Sequence, residues 1–144
     1  MGDQAEGVYD TVLPLGPSER YGLRRPGIDI RKLPPTVRYT PDRLTQSSPL
    51  VEVVGLGRDG ILKVKAEKLE ALAVWHRHIE AVYLFVYNSH KKEWALCPYP
   101  TFRSFCLRIG KRDGMGTFDG TKPYYPLPYQ ELVLLRGIQR GSVE

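Results

Sequence analysis

The stretch that decides the reading of this chain is Tyr39–Lys68, YTPDRLTQSSPLVEVVGLGRDGILKVKAEK. Its first half has the composition of a β-hairpin, with the polar, proline-closed TQSSP between YTPDRL and the β-branched run LVEVV. Strand alternation puts Leu50, Glu52 and Val54 on one face and Val51 and Val53 on the other. Glu52 thus stands where so apolar a strand would carry a hydrophobic side chain. Asp42, just after Pro41, ends or bends the preceding strand. Singly, Asp42 reads as a turn residue and Glu52 as a solvent-facing one. As a pair on adjacent strands they are hard oxygen donors of the kind that suit Mg²⁺ or Mn²⁺, ions that take further ligands from water and from substrate phosphate.

Working outward, GLGRDG has neither the Walker nor the Rossmann spacing and reads as a tight connection into a helix over Ile61–His78, whose apolar stripe is Leu62, Ala66, Leu69, Ala73 and His76. The β-branched and aromatic run AVYLFVYN, Ala81–Asn88, follows as a buried strand, and its place after the helix predicts a β-α-β crossover with Leu50–Val54. Glu93–Cys97 is its hairpin partner through NSHKK. Further strands are expected at Gly27–Lys32, Val37–Leu44 and Phe102–Ile109, a Gly-, Pro- and Tyr-rich loop over residues 111–128, and a short helix at Tyr129–Arg136. Residues 1–26 read as an irregular arm, 27–98 as an α/β core and 99–144 as an extension packed on it. Tyr124, Tyr125 and Tyr129 beside Lys122 suit either stacking on unpaired bases or packing of the C-terminal helix, with packing preferred.

The order PD, a short gap, then a hydrophobic strand bearing Glu followed by Gly resembles the PD-(D/E)XK nuclease superfamily. YTPD and LVEVVG look most like its phage endonuclease I type of Holliday-junction resolvase. The resemblance covers roughly residues 36–95. It implies a restriction-endonuclease-like core, a mixed β-sheet with a hairpin and a crossover helix, and Mg²⁺- or Mn²⁺-dependent hydrolysis of DNA phosphodiesters, with branched DNA as a substrate. It implies Asp42 and Glu52 as catalytic metal ligands. The family's lysine two residues after the glutamate is replaced here by Val54. Lys65, with Lys63 as the alternative, is the expected substitute from the next helix; helical spacing turns the two apart, so only one of them faces the site. The family also carries an acidic residue on an N-terminal helix that completes the metal site, for which Glu19 ranks ahead of Glu6 and Asp29. The loss of the motif lysine supports an alternative, a catalytically inactive nuclease fold serving DNA binding or virion assembly.

Composition bounds the rest. The chain has 144 residues and a formal net charge of +5, with 42% hydrophobic residues, enough for a core. Basic residues cluster on both sides of the acidic pair, and Arg38, Arg58, Lys63, Lys65 and Lys68 are the expected DNA contacts. No apolar run reaches the length of a membrane span. MGDQAEG lacks the basic and apolar regions of a signal peptide, so a cytoplasmic location is expected, that of the host cell for a phage product. Cys97 and Cys106 are expected as reduced thiols. The His76/His78 pair lacks the companions of a zinc site and is read as a helix C-terminus. A homodimer is expected by resemblance, since junction resolvases cut two strands symmetrically.

Overall fold

The computed structural model describes residues 2–12, 14–16, 18–20, 39–45, 49–79 and 81–143. Its elements are α1 (Gly2–Val12), β1 (Ser18–Arg20), β2 (Arg43–Thr45), β3 (Leu50–Gly55), β4 (Ile61–Lys65), α2 (Ala66–Ile79), β5 (Val82–Asn88), β6 (Glu93–Pro98), α3 (Tyr99–Asp113), β7 (Gly116–Phe118), β8 (Lys122–Pro128), α4 (Tyr129–Leu132) and β9 (Gln139–Ser142). A six-stranded sheet has the order β1-β2-β3-β5-β6-β9 and a three-stranded one the order β4-β8-β7.

The larger sheet is mixed because β3 and β5 are parallel, while every other pairing in it is antiparallel. The expected hairpin (β2–β3), crossover helix (α2) and second hairpin (β5–β6) are all present, so the chain is α/β as the patterning indicated. Alternation along the central strands supplies both faces. Leu50, Leu84, Val86, Ala95 and Cys97 pack with Leu69 and Leu72 of α2 and Phe102, Phe105 and Ile109 of α3. Val51, Val53, Phe85, Trp94 and Leu96 pack with Ala5 and Tyr9 of α1. Burial on both faces explains why these strands read as near-continuous hydrophobic runs.

Five local expectations differ from the structure. Of the strand expected at Val37–Leu44, the described residues Tyr39–Asp42 are not extended in a sheet and pairing begins at Arg43, so Asp42 precedes β2 instead of ending a strand. Ile61–Lys65 is a strand, not the first turns of the helix: in ILKVK, Leu62 and Val64 enter the core while Lys63 stays exposed, a period of two satisfied by pairing with β8. Phe102–Ile109 is helical within α3, with Pro100 in its first turn and Phe102, Phe105, Cys106 and Ile109 buried along one stripe. Residues 2–12, read as part of an irregular arm, form α1, whose fully buried Ala5 and Tyr9 lie one turn apart; Tyr9 meets Phe85 edge-on at 5.1 Å. The C-terminal loop contains the β7–β8 hairpin, and the helix at Tyr129 is a single turn. The strand expected at Gly27–Lys32 and the residues Asp29 and Arg38 lie outside the described residues.

Candidate active site

Hairpin register brings the two carboxylates together. Arg43 lies opposite Val51 and Leu44 opposite Leu50, so one further step places Asp42 opposite Glu52. Directly opposed residues of an antiparallel pair share a face. The Val53 amide donates to Asp42 Oδ2 at 2.8 Å, which holds the aspartate against the neighbouring strand. Glu52 is 5% exposed, on the same side of the sheet as α2.

A buried carboxylate needs a partner, and α2 provides it. Lys68, on the first turn of that helix, places Nζ 2.7 Å from Glu52 Oε2. Burial pulls the Lys68 ammonium toward its neutral form, but the charges of Glu52 and Asp42 outweigh it, and its pKa lies above that of an ordinary lysine. Asp42 shifts strongly. Burial, then the charge of Glu52, raises its pKa from 3.8 to about 7, against the opposing effects of the Val53 amide and Lys68. Two carboxylates and one ammonium thus share a poorly hydrated space.

A polar surround continues from this group. Lys68 Nζ sits 5.8 Å from the centre of the Tyr39 ring. The Tyr39 hydroxyl donates to Glu67 Oε1 at 2.7 Å, and Lys122 Nζ lies 3.0 Å from the same oxygen. On the other flank, Arg43 is held by Glu6 at 3.1 Å and by Asp10 at 3.0 Å, both from α1.

The other sequence-nominated residues fall elsewhere. Lys63 and Lys65 are on a strand, where residues two apart share a face rather than diverging; their ammonium groups lie over the rings of Tyr124 (5.5 Å) and Phe118 (5.7 Å). Lys68, read from sequence only as a DNA contact, is the lysine that touches Glu52. Glu19 is in β1 opposite Leu44, not on a helical turn. The N-terminal helix exists, and the acidic residues of it that pair with Arg43 are Glu6 and Asp10; the lack of a clear apolar stripe in MGDQAEG obscured it. Arg58 lies in the loop between β3 and β4. His76 Nδ1 accepts the Val82 amide at 3.4 Å. Cys97 and Cys106 are buried free thiols, and burial raises each pKa to about 12.

Among the described residues, no group of three or more His, Cys, Asp and Glu side chains is placed to hold a metal ion. The Asp42–Glu52 pair still fits one kind of ion. Magnesium-like cations bind through one or two carboxylates and complete their shell with water and substrate phosphate, and mutual repulsion of these carboxylates is what a cation would relieve.

A scan against protein-family models finds no match, and a search of curated proteins finds no significant one. Among solved structures, the chain is similar to Archaeoglobus fulgidus Hjc, a Holliday junction resolvase from an archaeal hyperthermophile. The two share 15% identity over 91% of this chain and 98% of that one, with a TM-score of 0.48. A likeness of this size carries nothing about function. Among the described residues, no helix is long and apolar enough to cross a membrane.

Proposed function

We propose that the protein is a metal-dependent DNA endonuclease of the PD-(D/E)XK type, with Asp42 and Glu52 as metal ligands and Lys68 in place of the motif lysine. The observation that carries this reading is the pairing of half-buried Asp42 with buried Glu52, with the Lys68 ammonium 2.7 Å from Glu52. It answers the difficulty raised by Val54: the ammonium missing from β3 enters the same space from α2. When bound, Mg²⁺ or Mn²⁺ supplies Lewis-acid polarisation of a phosphoryl oxygen and a more acidic water. Lys68 holds Glu52 in place and offsets negative charge on the phosphate, and the Val53 amide fixes Asp42. Glu6 and Asp10, on α1 and both paired with Arg43, the residue next to Asp42, replace Glu19 as candidates for the acid of the N-terminal helix.

Branched DNA is the first substrate to test, on the strength of the YTPD and LVEVVG resemblance, which also carries the phage-type and homodimer readings. Purified protein is incubated with four-way-junction, linear and supercoiled DNA in Mg²⁺, Mn²⁺ or EDTA. Cutting is expected with metal and not with EDTA, and Glu52→Gln and Lys68→Gln should each reduce it by about a hundredfold or more while DNA binding persists. Binding without cutting by the wild-type protein would instead assign the chain to an inactive nuclease fold that serves recognition or assembly.

A further inference from the structure

The three-stranded sheet has one face in the core and one face that, apart from Lys122 on Glu67, has no role in the reading above. Leu62, Val64 and Leu127 point inward. On the opposite face, pairing sets Lys63 beside Pro126, Lys65 beside Tyr124, and Phe118 beside Lys122. The Phe118 and Tyr124 rings are 4.5 Å apart, with the Lys65 and Lys63 ammonium groups over them. The Tyr124 ring lies directly across Gly116, where an added Cβ would come within 2.2 Å of it, so this ring is seated on the strand.

This face ends in a cleft of about 470 Å³ walled by Gly57, Arg58, Asp59, Lys63 and Phe118. That volume lies in the range of small-ligand pockets. Among the described residues, neither Arg58 nor Lys63 has a carboxylate partner. Asp59 is occupied locally, its Oδ1 accepting the Ile61 amide at 3.1 Å. An aromatic wall beside two cations matches a nucleotide: a base stacks on the ring and its phosphate pairs with the cations. The bases of an intact duplex are stacked on each other and cannot use such a wall, so the nucleotide is an unpaired one. The cleft also adjoins the carboxylate site in the chain. β4 runs from Ile61 straight into α2, which carries Lys68, and Lys122 of β8 reaches Glu67 at 3.0 Å.

We propose that the cleft between the β3–β4 loop and β7 binds an unpaired nucleotide of the DNA substrate, its base stacked on Phe118 and its phosphate held by Lys63 and Arg58. This deepens, and rests on, the nuclease reading. The test measures binding in EDTA, apart from cutting, by fluorescence anisotropy with labelled oligothymidine and with a fully paired duplex. Phe118→Ala should weaken oligothymidine binding about tenfold and duplex binding less than about twofold, with Phe118→Trp restoring the loss. Lys63→Gln, at an exposed position that does not threaten folding, should reduce the salt slope for oligothymidine by about 0.7. Thermal melting verifies that each variant is folded. If wild-type protein binds DNA and cuts it, while Lys63→Gln and a folded Phe118→Ala bind oligothymidine as wild type does, this proposal alone is overturned. Equal losses on oligothymidine and duplex also overturn it. No DNA binding by wild type would overturn both it and the nuclease reading.

Discussion

At the residue scale, Asp42 holds its proton to about pH 7 because burial and the neighbouring Glu52 disfavour a second negative charge. Its folded pKa is raised above the unfolded value of 3.8. Between those limits the native state holds a proton that the unfolded chain has released, so the contribution of this group to stability falls as pH rises through the window. In EDTA, the melting temperature of wild type relative to Asp42→Asn should therefore drop on going from about pH 5 to about pH 8, as read by calorimetry; a constant difference would refute the shift. The asparagine keeps an acceptor for the Val53 amide and loses only the charge. The same proton competes with a divalent cation, so Mn²⁺ affinity measured by titration should fall about tenfold per pH unit below about pH 7. The convergence of Asp42 and Glu52 was legible in the sequence, since hairpin pairing is local. The lysine on Glu52 was not, because Lys63 and Lys65 looked closer until the helix start moved from Ile61 to Ala66.

At the scale of elements, local pattern and tertiary demand disagree where segments are short. ILKVK carries both a strand alternation and the start of an apolar helical stripe, and β8 decides between them by offering hydrogen-bond partners. YPTFRSFCLRIGKRD has the aromatic content of a strand, yet its buried residues recur at three and four, and its helix is tied to α2 by Tyr99 donating to the Leu69 carbonyl at 2.7 Å and by Arg103 on Glu70 at 2.7 Å. β9 closes the sheet against β6 only because Gly141 faces Trp94; a Cβ there would come within 2.5 Å of the indole, which is itself stacked on Phe85 at 5.5 Å. Gly141→Ala should cost about 1–3 kcal/mol through displacement of this packed ring, measured by denaturant unfolding. An unchanged midpoint would show that β9 does not bear on the core.

For the whole molecule, a net charge of +5 accompanies a site with two carboxylates and the single ammonium of Lys68, so the other cations lie outside that site. Lys63, Lys65 and Lys122 on the small sheet and Arg58 in the adjoining loop provide such a surround. With roughly four phosphate contacts, DNA affinity should fall about a hundredfold between 50 and 200 mM salt. A salt titration with no slope would mean that DNA is not the partner.

The sequence by itself determined the α/β class, the β2–β3 and β5–β6 hairpins, the crossover through α2 and the meeting of Asp42 with Glu52. Each depends on alternation and turn chemistry within a few residues, where the backbone leaves few choices. Only the tertiary structure decided that Lys68 reaches Glu52, that Glu6 and Asp10 of α1 hold Arg43 beside Asp42, and that the C-terminal segment supplies an aromatic sheet and a closing strand. Those contacts join residues far apart in the chain, and their geometry depends on how helices and strands pack, which spacing along the sequence does not encode.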